Sequence, residues 1–161
     1  MKGHLSVDTP AAAPAGLVWD AFRGVELARY LNELLGDVIG RAEVVEGDGG
    51  VGTVVKVTFA PGTPGPGYWK EIFRIMDDEK RVKAADVIEG GLIELGFDQY
   101  RVRFEVIEKD AESSIIRSTI EYELEDSKKE LASLVSTEAV ETLAERVGKY
   151  LAEKNSTPKN L

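Results

Sequence analysis

From about residue 39 to residue 124 the chain alternates polar and apolar residues with a period of two, broken at short intervals by turn-forming clusters. The clearest segments are Thr53-Val55-Val57-Phe59, Trp69-Glu71-Phe73-Ile75, Lys83-Ala85-Val87, Tyr100-Val102-Phe104-Val106 and Ile116-Ser118-Ile120-Tyr122-Leu124. The breaks are Glu46-Gly47-Asp48-Gly49-Gly50, Pro61 to Gly67, Met76 to Lys80, Glu89-Gly90-Gly91 and Lys109 to Glu112. Connections this short do not accommodate crossover helices, so the strands run antiparallel as a meander.

The flanks complete the architecture. Residues about 3–9 alternate as a first strand, interrupted by Pro10 to Pro14. Two short helical patterns follow, through Leu17, Val18, Ala21 and Phe22, then Leu27, Tyr30, Leu31 and Leu34, punctuated by Gly24 and Gly36. At the other end Ser127 and Glu130 form a capping box, and Leu131, Leu134, Val135, Ala139, Leu143, Val147 and Leu151 trace one helical stripe. The stripe fades at Lys154 to Pro158, and a disordered tail is expected over about 155–161. The order predicts an α+β fold in one ligand-binding domain, residues 1–161: a curved seven-stranded antiparallel sheet around a cavity, two short helices, and a long C-terminal helix gripping the concave face.

Composition narrows the function. A formal charge of −9 disfavours nucleic acid and anionic membranes as partners, because both require clustered Lys and Arg. The longest apolar runs fall far short of a membrane span, and no secretory signal pattern follows Lys2 and His4. The absence of cysteine excludes disulfides and thiolate ligands and suits a cytoplasmic location. A lone histidine, His4, on the polar side of the first strand argues against a His-based metal site or a Ser-His triad. Nothing in the sequence requires a metal or an organic cofactor.

Glu71 is the oddity. It falls in phase with Trp69, Phe73 and Ile75, so a concave core face on that strand carries a carboxylate. Lys83 shares its face with Ala85 and Val87, although Val82 and Ala84 leave the opposite phase open. Counting through the Met76–Lys80 turn places Lys83 opposite Glu71 or one diagonal step away. Facing one another in an apolar cavity, an acid and an amine shift each other's protonation. A partly buried salt bridge is the structural alternative.

The stretch Glu46-Gly47-Asp48-Gly49-Gly50-Val51-Gly52-Thr53, with Val57-Thr58-Phe59, Pro61-Gly62, Val87-Ile88-Glu89-Gly90-Gly91, Leu95-Gly96 and Ile116 to Tyr122, resembles the plant pathogenesis-related class 10 family, whose fold is that of the major birch pollen allergen. Within it the chain looks most like the branch of norcoclaurine and norbelladine synthases, from Met1 to about Lys154. The resemblance makes the glycine loop a hairpin feature, not a phosphate cradle, which would need a strand on one side and a helix on the other. It implies a lyase of plant defence or alkaloid biosynthesis that condenses an arylethylamine with an aldehyde through an iminium ion, Pictet–Spengler fashion. Lys83 is then the general base, Glu71 the acid that protonates the departing hydroxyl, and Tyr68 a third catalytic group at the spacing of norbelladine synthase, whereas Trp69 has the spacing of norcoclaurine synthases and strict alternation points Tyr68 away from the cavity. Where norcoclaurine synthases carry an Asp this chain has Val102, as norbelladine synthase has an aliphatic residue, which weakens catechol-amine binding and full cyclisation.

Further candidate wall residues are Tyr30, Phe59, Trp69, Phe73, Tyr100, Val102, Phe104, Tyr122, Leu134 and Val135, each with an ordinary reading as core. The expected partner is a small aromatic or hydrophobic molecule, the protein being a monomer or weak dimer. A non-catalytic carrier of hydrophobic metabolites or phytohormones uses the same cavity. The ribonuclease activity sometimes ascribed to the family conflicts with the charge and the single histidine.

Overall fold

A computed structural model of the chain describes residues 1–156. Seven strands form one antiparallel sheet: β1 (Lys2–Ala11), β2 (Gly40–Glu46), β3 (Val54–Phe59), β4 (Tyr68–Asp77), β5 (Val82–Gly90), β6 (Gln99–Asp110) and β7 (Ser113–Glu123). Their order across the sheet is β1-β7-β6-β5-β4-β3-β2, a meander with the first strand returned beside the last. Helices α1 (Ala15–Phe22) and α2 (Glu26–Leu35) lie between β1 and β2, and α3 (Glu138–Ser156) closes the chain. The expected α+β helix-grip architecture is therefore present. No helix among the described residues is long and apolar enough to cross a membrane.

Several local expectations change. The first strand runs through Pro10, which pairs with Ile115, because β1 is a sheet edge where a missing N–H is tolerated. The terminal helix begins near residue 138 and not at Ser127. Residues Asp126–Leu134 form 3₁₀ turns broken at Lys128 (φ −116°, ψ 15°), and Val135 is extended. The effective cap lies further on: the Ser136 hydroxyl accepts the Glu138 N–H, and the Thr137 carbonyl accepts that of Glu141. Leu131, Leu134 and Val135 thus stand outside the α3 stripe, which buries Leu143, Ala144, Val147, Gly148 and Leu151. Asn155 and Ser156, placed in the expected tail, are helical, and residues 157–161 lie outside the described residues.

The core forms where the concave sheet meets the helices. Helix α2 turns Leu27, Tyr30, Leu31 and Leu35 inward, while Glu26, Arg29 and Glu33 pair on its outer face. Gly148 of α3 leaves room for close approach to β1: a Cβ there would sit 3.4 Å from that of Ala11. Two register shifts bend the middle strands. Ile88 is the unpaired residue on β5 and Arg74 on β4; beyond Arg74, Ile75 pairs with Ala84 and Met76 with Lys83, in step with the turn at 78–81. The second shift replaces Ile75, expected on the concave face, with Met76, which packs against the core.

Candidate active site

Two adjoining hollows, with part of their walls in common, lie under the sheet. The inner chamber, about 110 Å³, is bounded by α2, β3, β4, β5, β6 and the start of α3, and has Glu71 and Lys83 among otherwise apolar side chains. The outer one, about 400 Å³, opens past Pro61 to Pro64 and the N-terminal turn of α3, where Ser136, Glu138 and Thr142 add polar groups. Ile39, Phe59, Trp69, Val102, Ala139 and Val140 line both and form the waist between them.

Lys83 is 5% exposed. Its ammonium donates to the carbonyl of Phe22 at 3.0 Å and that of Gly24 at 2.9 Å, and lies 4.4 Å from the centre of the Phe73 ring. The two carbonyls are free to accept because α1 ends at Phe22 and Gly24 takes a left-handed conformation (φ +58°). The glycine loop supports this junction: a Cβ on Gly49 would meet the Gly24 Cα at 3.2 Å. The loop N–H of Gly49 donates to the Thr53 hydroxyl and that of Gly50 to Asp48, so both are spent internally and not on a phosphate.

Glu71 accepts the indole N–H of Trp69 at its Oε1, 2.9 Å away. Registration puts it opposite Val87, while Lys83 stands opposite Met76, so the two are further apart along the strands than a direct or diagonal pair. No ion pair joins them among the described residues. They still feel one another across the chamber. Loss of solvent raises the Glu71 carboxyl, offset by the Lys83 charge and the Trp69 hydrogen bond. Loss of solvent lowers the Lys83 amine to about 8, offset by Glu71. Both shifts favour neutral forms, an acid able to give a proton and an amine able to take one.

The other expected site residues divide. Phe73 and Phe104 wall the inner chamber, Tyr100 and Leu134 the outer one, and Phe59, Trp69 and Val102 both. Tyr68 stands apart: its hydroxyl donates to Glu89 at 3.0 Å on the exposed face and its ring lies over Lys56, as strict alternation requires. That corrects its grouping with Glu71 and Lys83. Tyr30 packs edge-on against Tyr150, Tyr122 against Phe97, and Val135 is buried; none lines either hollow. Sequence reasoning missed the carbonyls of Phe22 and Gly24. The only signal for them was a glycine between two helical patterns.

A profile of the pathogenesis-related protein Bet v 1 family matches residues 1–154. Norbelladine synthase of Narcissus pseudonarcissus is 43% identical over 156 residues, which cover 97% of this chain and 96% of that protein. S-norcoclaurine synthase 2 of Papaver somniferum is 35% identical, over 96% of this chain and 67% of its own length. The crystal structure of norcoclaurine synthase from Thalictrum flavum in complex with dopamine and hydroxybenzaldehyde superposes with a TM-score of 0.85 at 31% identity, covering 98% of this chain and 90% of that one.

Proposed function

This chain belongs to the pathogenesis-related protein Bet v 1 family, and we propose that it is an enzyme condensing an arylethylamine with an aldehyde through an iminium ion. The reading rests on one observation: an acid and an amine, each pushed toward its neutral form, open on one apolar chamber without neutralising each other. Lys83 takes a proton from the substrate ammonium, freeing its lone pair to attack the aldehyde carbon. Glu71 then protonates the hydroxyl of the resulting carbinolamine, the C–O bond breaks, and water leaves. The carboxylate so formed lies beside the iminium cation, and in a low-dielectric site that attraction is strong. The similarity to norbelladine and norcoclaurine synthases supports this reading, and the Thalictrum enzyme holds dopamine and hydroxybenzaldehyde in the same fold.

Volume supports a division of the two substrates between the hollows. An apolar cavity of about 150 Å³ is filled by one benzene ring. The inner chamber, about 110 Å³, therefore holds at most one ring beside the reacting atoms, and the second ring occupies the outer hollow. Tyr68 has no part in the chemistry. Val102 supplies no carboxylate at the waist, so imine formation is the core activity and ring closure secondary.

In this reading residues 1–161 act as one ligand-binding domain, a cytoplasmic lyase of plant alkaloid or defence metabolism, working as a monomer or weak dimer and without nucleic acid. The cysteine-free, acidic composition supports that setting. Tyramine or dopamine incubated with 4-hydroxybenzaldehyde or an arylacetaldehyde, with borohydride trapping of the imine and chiral separation of any cyclised product, tests it. Trapped product above the buffer rate supports condensation, and single-handed cyclic product adds ring closure. Formation at the buffer rate with every pair defeats the reading. The outer hollow, about 400 Å³ and lined by neither Glu71 nor Lys83, favours a second reading as a carrier of hydrophobic metabolites. Tight binding without turnover would select it.

A further inference from the structure

Trp69 has a place in the site that the acid–amine chemistry above does not use. Its indole donates to Oε1 of Glu71, while Oε2 has no partner among the described residues and is not sealed from the chamber. An indole nitrogen is a donor only, so Oε1 is the accepting oxygen whatever the charge on Glu71. The ring itself is locked. Phe59 meets it edge-on at 4.8 Å, Tyr100 at 5.8 Å, and the backbone of Gly91 closes on its other side, where a Cβ would come within 2.9 Å of Cε3.

We propose that Trp69 is a positioning residue that fixes which oxygen of Glu71 carries the acid proton. The indole N–H claims Oε1 as the carbonyl-like oxygen, and the transferable proton sits on Oε2, the oxygen open to the chamber. In the neutral carboxyl the carbonyl oxygen is the better acceptor, so the bond biases the carboxyl toward one of its two tautomers. The proton then needs no rotation of the carboxyl before it reaches the carbinolamine hydroxyl. Once Glu71 has given up that proton, the same indole bond remains on the carboxylate and strengthens. Lys83 is the one other charged group lining the inner chamber among the described residues, and Glu138 lies in the outer hollow. The catalytic consequence rests on the condensation reading; the hydrogen bond and its oxygen do not.

The chain's two tryptophans make the test clean, because Trp19 donates its indole N–H to Asp78 instead. In a nitrogen-15 side-chain spectrum followed through a pH titration, the Trp69 indole signal is expected to move with the ionisation of Glu71, above the ordinary carboxylate range. In Glu71→Gln that movement is expected to vanish while the Trp19 signal is unaffected. Trp69→Phe keeps the wall and removes the donor; kcat is expected to fall about tenfold with KM little changed, the equivalent of one such hydrogen bond. Trp69→Tyr, which restores a donor, is expected to recover part of that loss. A Trp69 signal blind to Glu71, or a Trp69→Phe enzyme whose loss is confined to KM, overturns the proposal. Should the wild type catalyse no condensation, the function proposed above fails while the titration still decides whether Trp69 holds Oε1.

Discussion

Glu71 and Lys83 face the same chamber from neighbouring strands, yet each is held by something other than its counterpart: the carboxyl by the Trp69 indole, the amine by the carbonyls of Phe22 and Gly24. A contact ion pair would lock both groups in their charged states. Separation leaves each desolvated and within reach of the other's field, and desolvation dominates both shifts.

The rate of condensation is expected to follow a bell in pH. The base must be neutral and the acid protonated together, and the Lys83 amine, lowered to about 8 by loss of solvent, sets one limb of the bell. The acid must be protonated, so ionisation of Glu71 draws the rate down as pH rises, and the limbs belong to the coupled pair. Steady-state rates between pH 5 and 10 check this. Glu71→Gln should abolish the loss due to Glu71 ionisation and leave a lower rate that rises with pH.

Stability carries the same signature. The folded state depresses the Lys83 amine from 10.5 to about 8, so its contribution is fully present above the unfolded value and is lost as pH falls through about 8. The loss amounts to about 3 kcal/mol. Denaturant unfolding of wild type and Lys83→Met at pH 7 and pH 10 should show the wild type gaining on the variant at the higher pH. Parallel changes in the two proteins would contradict the assigned burial.

Thr9 and Ser118 bury hydroxyls with no hydrogen-bond partner among the described residues. Burying an unpaired hydroxyl costs free energy that an apolar group of the same shape does not. Thr9→Val and Ser118→Ala are each expected to stabilise the fold by about 1 kcal/mol. The unfolding midpoint in urea reads it, and a decrease in either variant would show a partner.

Gly91 has φ +54° and lies against the Trp69 ring. Gly91→Ala strains the backbone and pushes the indole away from Glu71, at an expected cost of about 1–2 kcal/mol. Its condensation rate should fall more than that of a glycine variant remote from the waist, measured in the same assay.

The alternation between residues 39 and 124 made the sheet legible, and with it the inward phase of Glu71, because one buried face forces a strict period of two. What defeats that reasoning is a residue added to one strand only. Arg74 on β4 and Ile88 on β5 each do so, and the former exchanges Met76 for Ile75; the two shifts cancel in register, and Lys83 stands opposite Met76 because the turn falls at 78–81. Neither position announces itself, since a charged and a β-branched residue both suit an exposed strand. The late start of α3 has a different cause. Leu131, Leu134 and Val135 are at helical spacing by coincidence, and the extended backbone at Val135 followed by the Ser136 cap prevails over the capping box at Ser127. The carbonyl cradle around Lys83 was beyond reach, because backbone atoms have no letter in the sequence.

The most direct measurement compares wild type and Lys83→Met on one amine and one aldehyde, following trapped imine at pH 8 under saturating substrate. If Lys83 is the base, kcat falls by about 100-fold or more with KM within a few-fold. If the variant turns over at the wild-type rate, Lys83 is not the base, and its place opposite Glu71 across the chamber is an accident of packing.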